Sequence, residues 1–333
     1  VIVIEIIGLN ENHLEPASQL FTKYFKEARE KLSILPERYE DREIILPLLQ
    51  DIYKKSIGVV AVDNGSLIGY LIGLPISNFK GTQRGIYCPE WAHISIGENR
   101  VKLYKLMYEK VSQNWVQNGC LTHAVTIMSH DNEAMDMWFR NGFGMNVIDA
   151  VRNLDLLSGD ISSDVEIRKC NNDDIESVID LLIGLKMHMA SSPIYLPLIN
   201  VKSFKDICEW LKNPDNTIWL GICKGQVVSI MEISNKKSND AQILSDEATV
   251  SVGETFTRDD FRGYGITKAI LQKVIEESLT KGYKRCAVVF ESQNISGSDF
   301  WLKYFNPVCY SLVRKIDDRI TWANKNRNIE TIL

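Results

Sequence analysis

The chemically suggestive spacing in this chain is concentrated in eleven residues, Arg258-Asp259-Asp260-Phe261-Arg262-Gly263-Tyr264-Gly265-Ile266-Thr267-Lys268. The preceding segment, Thr249–Thr257, reads as a strand, and a long helix begins near Gly265. Glycines at a strand-to-helix junction let the backbone come close to a ligand. The unpaired amides of the first helical turn and the positive end of the helix dipole then favour an anion, and a pyrophosphate suits such a site. Arg258, Arg262 and Lys268 add positive charge around it. A Rossmann-type turn is excluded, because Lys268 stands where the third glycine is needed and no first-strand context surrounds it. A Gly-Lys-Ser/Thr nucleotide loop is absent as well.

The elements that must position this turn are repeated along the chain. Asn118-Gly119-Cys120 leads into the apolar run 124–128, then Asp131 and the pair Trp138-Phe139. Lys281-Gly282-Tyr283 leads into the apolar run 286–290, then Asn294 and the pair Phe300-Trp301. Gly119 and Gly282 are 163 residues apart, as are Trp138 and Trp301. At the same offset Leu103, Met107 and Val111 fall on Ile266, Ile270 and Val274, each trio spaced by four along one helical face. Each half therefore reads as an opening strand (1–7; 165–169), one or two helices and a hairpin, followed by strand, long helix, strand, short helix and closing strand. The hairpins turn at Asp63-Asn64-Gly65, between strands 59–62 and 67–72, and at Lys224-Gly225, between Thr217–Cys223 and 227–233. Asn171 or Asn172, before Asp173-Asp174, is a helix cap. Residues 151–164, with Ser158-Gly159-Asp160 and Ser162-Ser163, form the natural join. The expectation is two domains, 1–157 and 164–333, each an α/β fold with a mixed rather than doubly wound sheet.

With these residues in place, the second half resembles the GNAT superfamily of acyl-CoA-dependent N-acyltransferases. Their cofactor signature, Gln/Arg-x-x-Gly-x-Gly/Ala, lies between the fourth strand and the following helix. It corresponds here to Arg262-Gly263-Tyr264-Gly265-Ile266-Thr267, with Thr267 in the last small-residue place. Asn294, Phe300, Trp301 and Phe305-Asn306-Pro307 match the family's downstream strand, asparagine and aromatic helix. The resemblance implies two tandem GNAT-like domains, each a mostly antiparallel twisted sheet flanked by helices, and direct acetyl transfer from acetyl-CoA to an amine. It implies a cofactor site made by Phe256, Thr257, Arg258, Arg262, Gly263, Tyr264, Gly265, Ile266, Thr267, Lys268 and Asn294. An acceptor amine with a pKa of roughly 10 must lose a proton before attack, and Glu254, at the end of the splayed fourth strand, is the implied base. Strand amides near Phe256 and Thr257 would hold the pantetheine and polarise the carbonyl. Many members place a tyrosine acid where this chain has Trp301, whose indole cannot serve. Tyr304 or Tyr310 would take its place. Residues 187–195 lie where the family varies its acceptor-side loops, and they carry no diagnostic charge.

The first half lacks these features. At the repeat offset, Arg262 falls on Asn99, Gly265 on Lys102, Thr267 on Tyr104 and Glu254 on Trp91. His93 replaces Phe256 and reads as a packed strand histidine; His123, His130 and Asp131 fit no metal-ligand spacing. The first domain is expected to keep the fold and to have lost the cofactor.

Composition bounds the partners. A net charge of −5 argues against a general nucleic-acid binder. Seven scattered cysteines, with no CxxC pair, are what a reducing cytoplasm permits. No stretch reaches the ~18 apolar residues of a membrane span, and residues 1–7 carry Glu5 and no basic leader. The expected protein is a cytoplasmic N-acetyltransferase binding acetyl-CoA and an amine acceptor, with neither metal, nucleic acid nor membrane as partner; a homodimer is compatible with this reading. The rival from another class is a non-catalytic acyl-CoA sensor.

Overall fold

The element order repeats, except that two strands of the first repeat, Gln83–Cys88 and His93–Ser95, stand where the second has one, Thr249–Thr257. The computed structural model describes residues 4–79, 83–158, 165–198, 201–235 and 241–320. The first repeat runs β1 (Ile4–Gly8), α1 (Leu14–Lys31), α2 (Arg42–Tyr53), β2 (Ile57–Asp63), β3 (Ser66–Phe79), β4 (Gln83–Cys88), β5 (His93–Ser95), α3 (Arg100–Gln117), β6 (Thr122–Met128), α4 (Asn132–Arg140) and β7 (Gly144–Asn153). The second runs β8 (Glu166–Lys169), α5 (Ile175–Ala190), α6 (Phe204–Leu211), β9 (Thr217–Cys223), β10 (Gln226–Ser234), β11 (Thr249–Thr257), α7 (Ile266–Thr280), β12 (Arg285–Glu291), α8 (Ile295–Tyr304) and β13 (Asn306–Lys315). The offset of 163 carries β6 onto β12 residue for residue, and the last residue of α3 onto that of α7.

Local chemistry explains the boundaries. Asn64 and Gly65 in one hairpin, Lys224 and Gly225 in the other, all have positive φ, the conformation of the tight turns that match strand twist. The Asn171 side chain accepts from the Asp173 amide and starts the 3-10 turn leading into α5. The first hairpin is longer than expected, since β3 continues to Phe79. Residues 151–153, expected in the join, instead complete β7, because residues 148–152 are buried and keep the strand going. Residues 1–3 of the opening strand and 159–164 of the join lie outside the described residues.

Two compact units result, cut differently from the linear repeat. The first comprises Val1–Ile148, Ala241–Ile243 and Val308–Leu333, the second Asp149–Asp240 and Leu244–Pro307. In the first, the sheet order is β1-β2-β3-β4-β6-β13, with β5 also on β3. Only β4 and β6 run parallel among the pairings described; β13 lies antiparallel on β6, from Cys309 opposite Met128 to Lys315 opposite Thr122. In the second, residues 149–153 of β7 are followed by β12-β11-β10-β9-β8, with β11 and β12 parallel and β8 to β11 antiparallel. Both are α/β units with a mixed, mostly antiparallel sheet.

The helical faces foreseen from the spacing are core faces. Leu103, Met107 and Val111 of α3, with Trp115, pack onto the first sheet. Ile266, Ile270 and Val274 of α7 are buried in the second unit. There, α5 contributes Val178, Leu181 and Leu182 to a cluster with Ile218, Leu220 and Ile230. All seven cysteines are free thiols. Among the described residues, no helix is long and apolar enough to cross a membrane.

Candidate functional site

In the second unit, β11 and β12 stay paired only from Thr249 opposite Arg285 to Val252 opposite Val288. Beyond that point β11 keeps only its β10 pairing, with Thr255, Phe256 and Thr257 opposite Met231, Ile230 and Ser229, after a register shift near Glu232. Gly253 sits at the divergence. A Cβ there would stand 3.1 Å from both Cβ and Oε2 of Glu232, so the missing side chain lets that carboxylate lie against the strand. Two cavities, about 520 and 480 Å³, meet at the gap and share Leu185, Thr255, Asn294 and Trp301 in their walls.

The larger cavity is lined by the glycine turn. Gly263 and Gly265 have φ of +83° and +76°, and Gly265 is the N-cap of α7. A Cβ at either would meet nothing within 4 Å, so the requirement is conformational and the backbone faces open space. The first-turn amides of α7 lack intrahelical acceptors, as in any helix, and the dipole adds to their positive potential. The turn is braced internally. Arg262 Nε donates to the Thr257 carbonyl at 3.1 Å, its guanidinium pairs with Asp259 at 2.9 Å, and it stacks over Phe256. Hydroxyls of Ser229, Thr257 and Thr267 link strand ends to helix at 2.7 and 2.9 Å. Thr267, in the small-residue place, therefore turns its hydroxyl back toward the strand. Such a turn can bind a pyrophosphate through the backbone, with Lys268 on the cavity wall.

The smaller cavity holds Glu254. One of its oxygens accepts from Lys186, and the other lies 3.2 Å from Lys202. Burial works against its charge, but the hydrogen bond from Lys186 and the charges of Lys202 and Lys186 outweigh burial and hold the carboxyl below its ordinary range. Glu232, 22 residues earlier on β10, accepts from Lys202 at 2.7 and 2.9 Å, and burial pushes its carboxyl above the ordinary value despite that lysine.

Of the residues expected from the sequence, Phe256, Thr257, Arg262, Gly263, Gly265, Ile266, Thr267, Lys268, Asn294 and Tyr304 line the larger cavity, and Glu254 lines the smaller. Arg258 and Tyr264 line neither. Tyr264 points outward, 67% exposed, while Arg258 Nε is buried with no hydrogen-bond partner among the described residues. Tyr310, the alternative acid, is on β13 and packs against the core of the first unit, which leaves Tyr304. Tyr304 lies at the end of α8, its ring against Phe300. Asn294 caps α8 by accepting from the Gly297 amide at 3.1 Å, and the same oxygen accepts from His188 Nε2 at 3.1 Å. His188, Lys186, Lys202 and Glu232 were not singled out from the sequence. A lone charge inside an apolar run was the available signal, as for Glu232 between Met231 and Ile233.

The corresponding place in the first unit is filled by its own side chains. Asp131 caps α4 through the Ala134 amide at 3.1 Å, as Asn294 caps α8, and is hydrogen-bonded by Arg100, which falls on Gly263 at the repeat offset. Arg100 also reaches Glu133 at 3.2 Å. His93 is buried, its Nε2 on the Thr126 carbonyl at 2.7 Å and its Nδ1 on Tyr104 at 3.1 Å. Burial holds its pKa down to about 4, so it is a neutral core histidine. His123 is fixed likewise by Tyr108 and the Cys120 carbonyl.

Residues 186–305, which include the glycine turn, the gap and α8, match the model of the acetyltransferase (GNAT) family. The chain carries a GNAT-family domain. In fold, the chain is similar to a GCN5-related N-acetyltransferase from Sphaerobacter thermophilus, at 13% identity, covering 94% of this chain and 95% of that one with a TM-score of 0.58. It is also similar to the GCN5-related glucosamine N-acetyltransferase region of a fungal multi-domain GH3 β-N-acetylglucosaminidase, at 11% identity, 94% of this chain, 38% of that chain and a TM-score of 0.54. No curated protein matches the chain by sequence. The likeness of fold thus extends over nearly the whole chain, and the family match over residues 186–305 supports acyl-CoA-dependent N-acetyltransferase chemistry in general.

Proposed function

We propose that the protein transfers an acetyl group directly from acetyl-CoA to an amine in the second unit. The observation that carries this reading is the meeting of two cavities at the β11/β12 gap, one lined by the glycine turn that opens α7 and the other by Glu254. Acetyl-CoA lies in the first, with its pyrophosphate on the amides opening α7 and its thioester at the gap. The acceptor enters the second. Glu254 takes the ammonium proton through a water, and the backbone at Phe256 and Thr257 holds the pantetheine and polarises the carbonyl. Tyr304 returns a proton to the departing thiolate. A thiol with a pKa near ~8.5 leaves readily on its own, so Tyr304→Phe is expected to lower kcat by only about tenfold, below the usual range for a general acid, with acetyl-CoA affinity unchanged. The seven free thiols fit a cytoplasmic location.

The first unit serves a structural or substrate-shaping role, its equivalent of the phosphate turn being occupied by Arg100. Replacing this largely buried cation leaves Asp131 uncompensated. Arg100→Ala is expected to lower stability by about 3–5 kcal/mol in thermal unfolding while leaving acetyl-CoA affinity intact by calorimetry. Loss of affinity instead would place part of the binding site in the first unit.

Purified protein supplied with acetyl-CoA and a panel of amines, with thiol release as readout, tests the central reading. Amine-dependent release supports transfer. Acetyl-CoA binding without release for any amine supports the sensor, which Trp301 in the family's usual tyrosine place favours.

A further inference from the structure

The acceptor-side cavity contains a chain of alternating charge. Lys202 Nζ stands between two carboxylates, 2.7 and 2.9 Å from the oxygens of Glu232 and 3.2 Å from Glu254, with the Trp210 ring 5.3 Å away. Lys186, from α5, closes on the other oxygen of Glu254. The order is Glu232, Lys202, Glu254, Lys186, and the set is neutral. Glu291, also in the wall, has a partner of its own. Lys202 is bound by two carboxylates, whereas Lys186 forms the open end of the chain.

This arrangement constrains what can enter. A simple alkylammonium approaching Glu254 would place a third cation on two carboxylates that already hold two. One of the three cations would then be left uncompensated at a partly buried position, which is strongly unfavourable. An acceptor that carries an anion beside its amine avoids this, because the anion meets the lysine that the ammonium displaces. Alternation then continues through six groups and neutrality is kept. The volume of about 480 Å³ suits a small molecule.

Resting on the transfer reading above, we propose that the acceptor is a small zwitterion of amino-acid type, its amine directed at Glu254 and its carboxylate held by Lys186. The test compares glycine, β-alanine, 4-aminobutanoate and 6-aminohexanoate with their own primary amides, at equal concentrations of neutral amine. Two readouts are taken: thiol release with acetyl-CoA, and calorimetric binding to the CoA-saturated protein. At least one acid is expected to exceed its amide by about tenfold or more in kcat/KM and in affinity. Lys186→Met should bring that ratio close to one, and Lys186→Arg should retain it. Because the ratio is internal to each variant, a general loss of activity does not move it. Amides equal to or better than acids, binding of neither class, or a preference that survives Lys186→Met overturns the proposal. Preferential binding of an acid without thiol release from any compound upholds the ligand class and overturns the transfer reading instead.

Discussion

Gly265→Glu will abolish acetyl-CoA binding, whereas Lys102→Glu, at the equivalent place in the first unit, will leave affinity within about twofold. Gly265 caps α7 with φ of +76°, and a Cβ there points into open space at the turn. A carboxylate at that point would sit among the amides that receive the pyrophosphate, replacing attraction with like-charge repulsion. It would also force a side chain into the left-handed region, at a cost of about 1–2 kcal/mol. Gly265→Asn separates the two effects, since asparagine tolerates that conformation and adds no charge; its loss should be much smaller. Lys102 is exposed on α3, beside a turn already occupied by Arg100 and Asp131. Titration calorimetry should find one acetyl-CoA per chain. Two comparable sites, or equal damage from the two glutamates, would remove the asymmetry between the units.

The part of this architecture that could be read from the sequence was the part carried by local periodicity. Helix faces spaced by four, the hairpin turns and the glycine junction each follow from neighbours in the chain, and the offset of 163 doubled the helix-face signal but not the glycine junction, which falls on Asn99, Lys102 and Tyr104 in the first half. The destination of a closing strand is not local. The residues of β13 mark a closing strand but not which sheet receives it, and the structure pairs Leu312 with Val125.

The charged residues of the smaller cavity were hidden for a similar reason. Lys186 and Glu254 are 68 residues apart, Lys202 and Glu232 are 30 apart, and α5, the approach to α6, β10 and β11 bring them together. Neither spacing carries a motif, because helix and strand periods relate only residues on one element. His188 was obscured within the apolar stretch of α5, and its partner Asn294 was read as a family landmark and cofactor-site residue, not as a partner for a histidine. The glycine turn needs particular residues next to one another, so its sequence and its chemistry coincide.

Glu254→Gln is expected to lower kcat by about 10²–10⁴, the usual contribution of a general base, with little change in acetyl-CoA affinity. The glutamine keeps the shape and accepts a hydrogen bond but cannot take a proton. A carboxylate held below its ordinary range is a far weaker base than an amine of pKa ~10, so the proton must pass through Glu254 to water rather than rest there. The pH profile separates this role from a structural one. With its folded pKa depressed by Lys186 and Lys202, Glu254 is ionised throughout the neutral range. Its limb in kcat/KM should therefore fall below the ordinary carboxylate range, and the rise at neutral to alkaline pH should follow the amine alone. The same depression means that its contribution to stability is present above the unfolded pKa and is lost as pH falls through the folded value. The defect in Glu254→Gln should shrink as pH approaches the pKa of the amine, where neutral nucleophile is already abundant. Removing this charge also leaves Lys186 and Lys202 in excess, an effect on acceptor binding that belongs in KM. Glu254→Asp restores the charge with a shorter reach and should recover KM more fully than kcat. Near-normal turnover of Glu254→Gln at neutral pH would assign the proton to a water chain or another carboxylate, and a collapse of acetyl-CoA binding would make Glu254 a support for the strand.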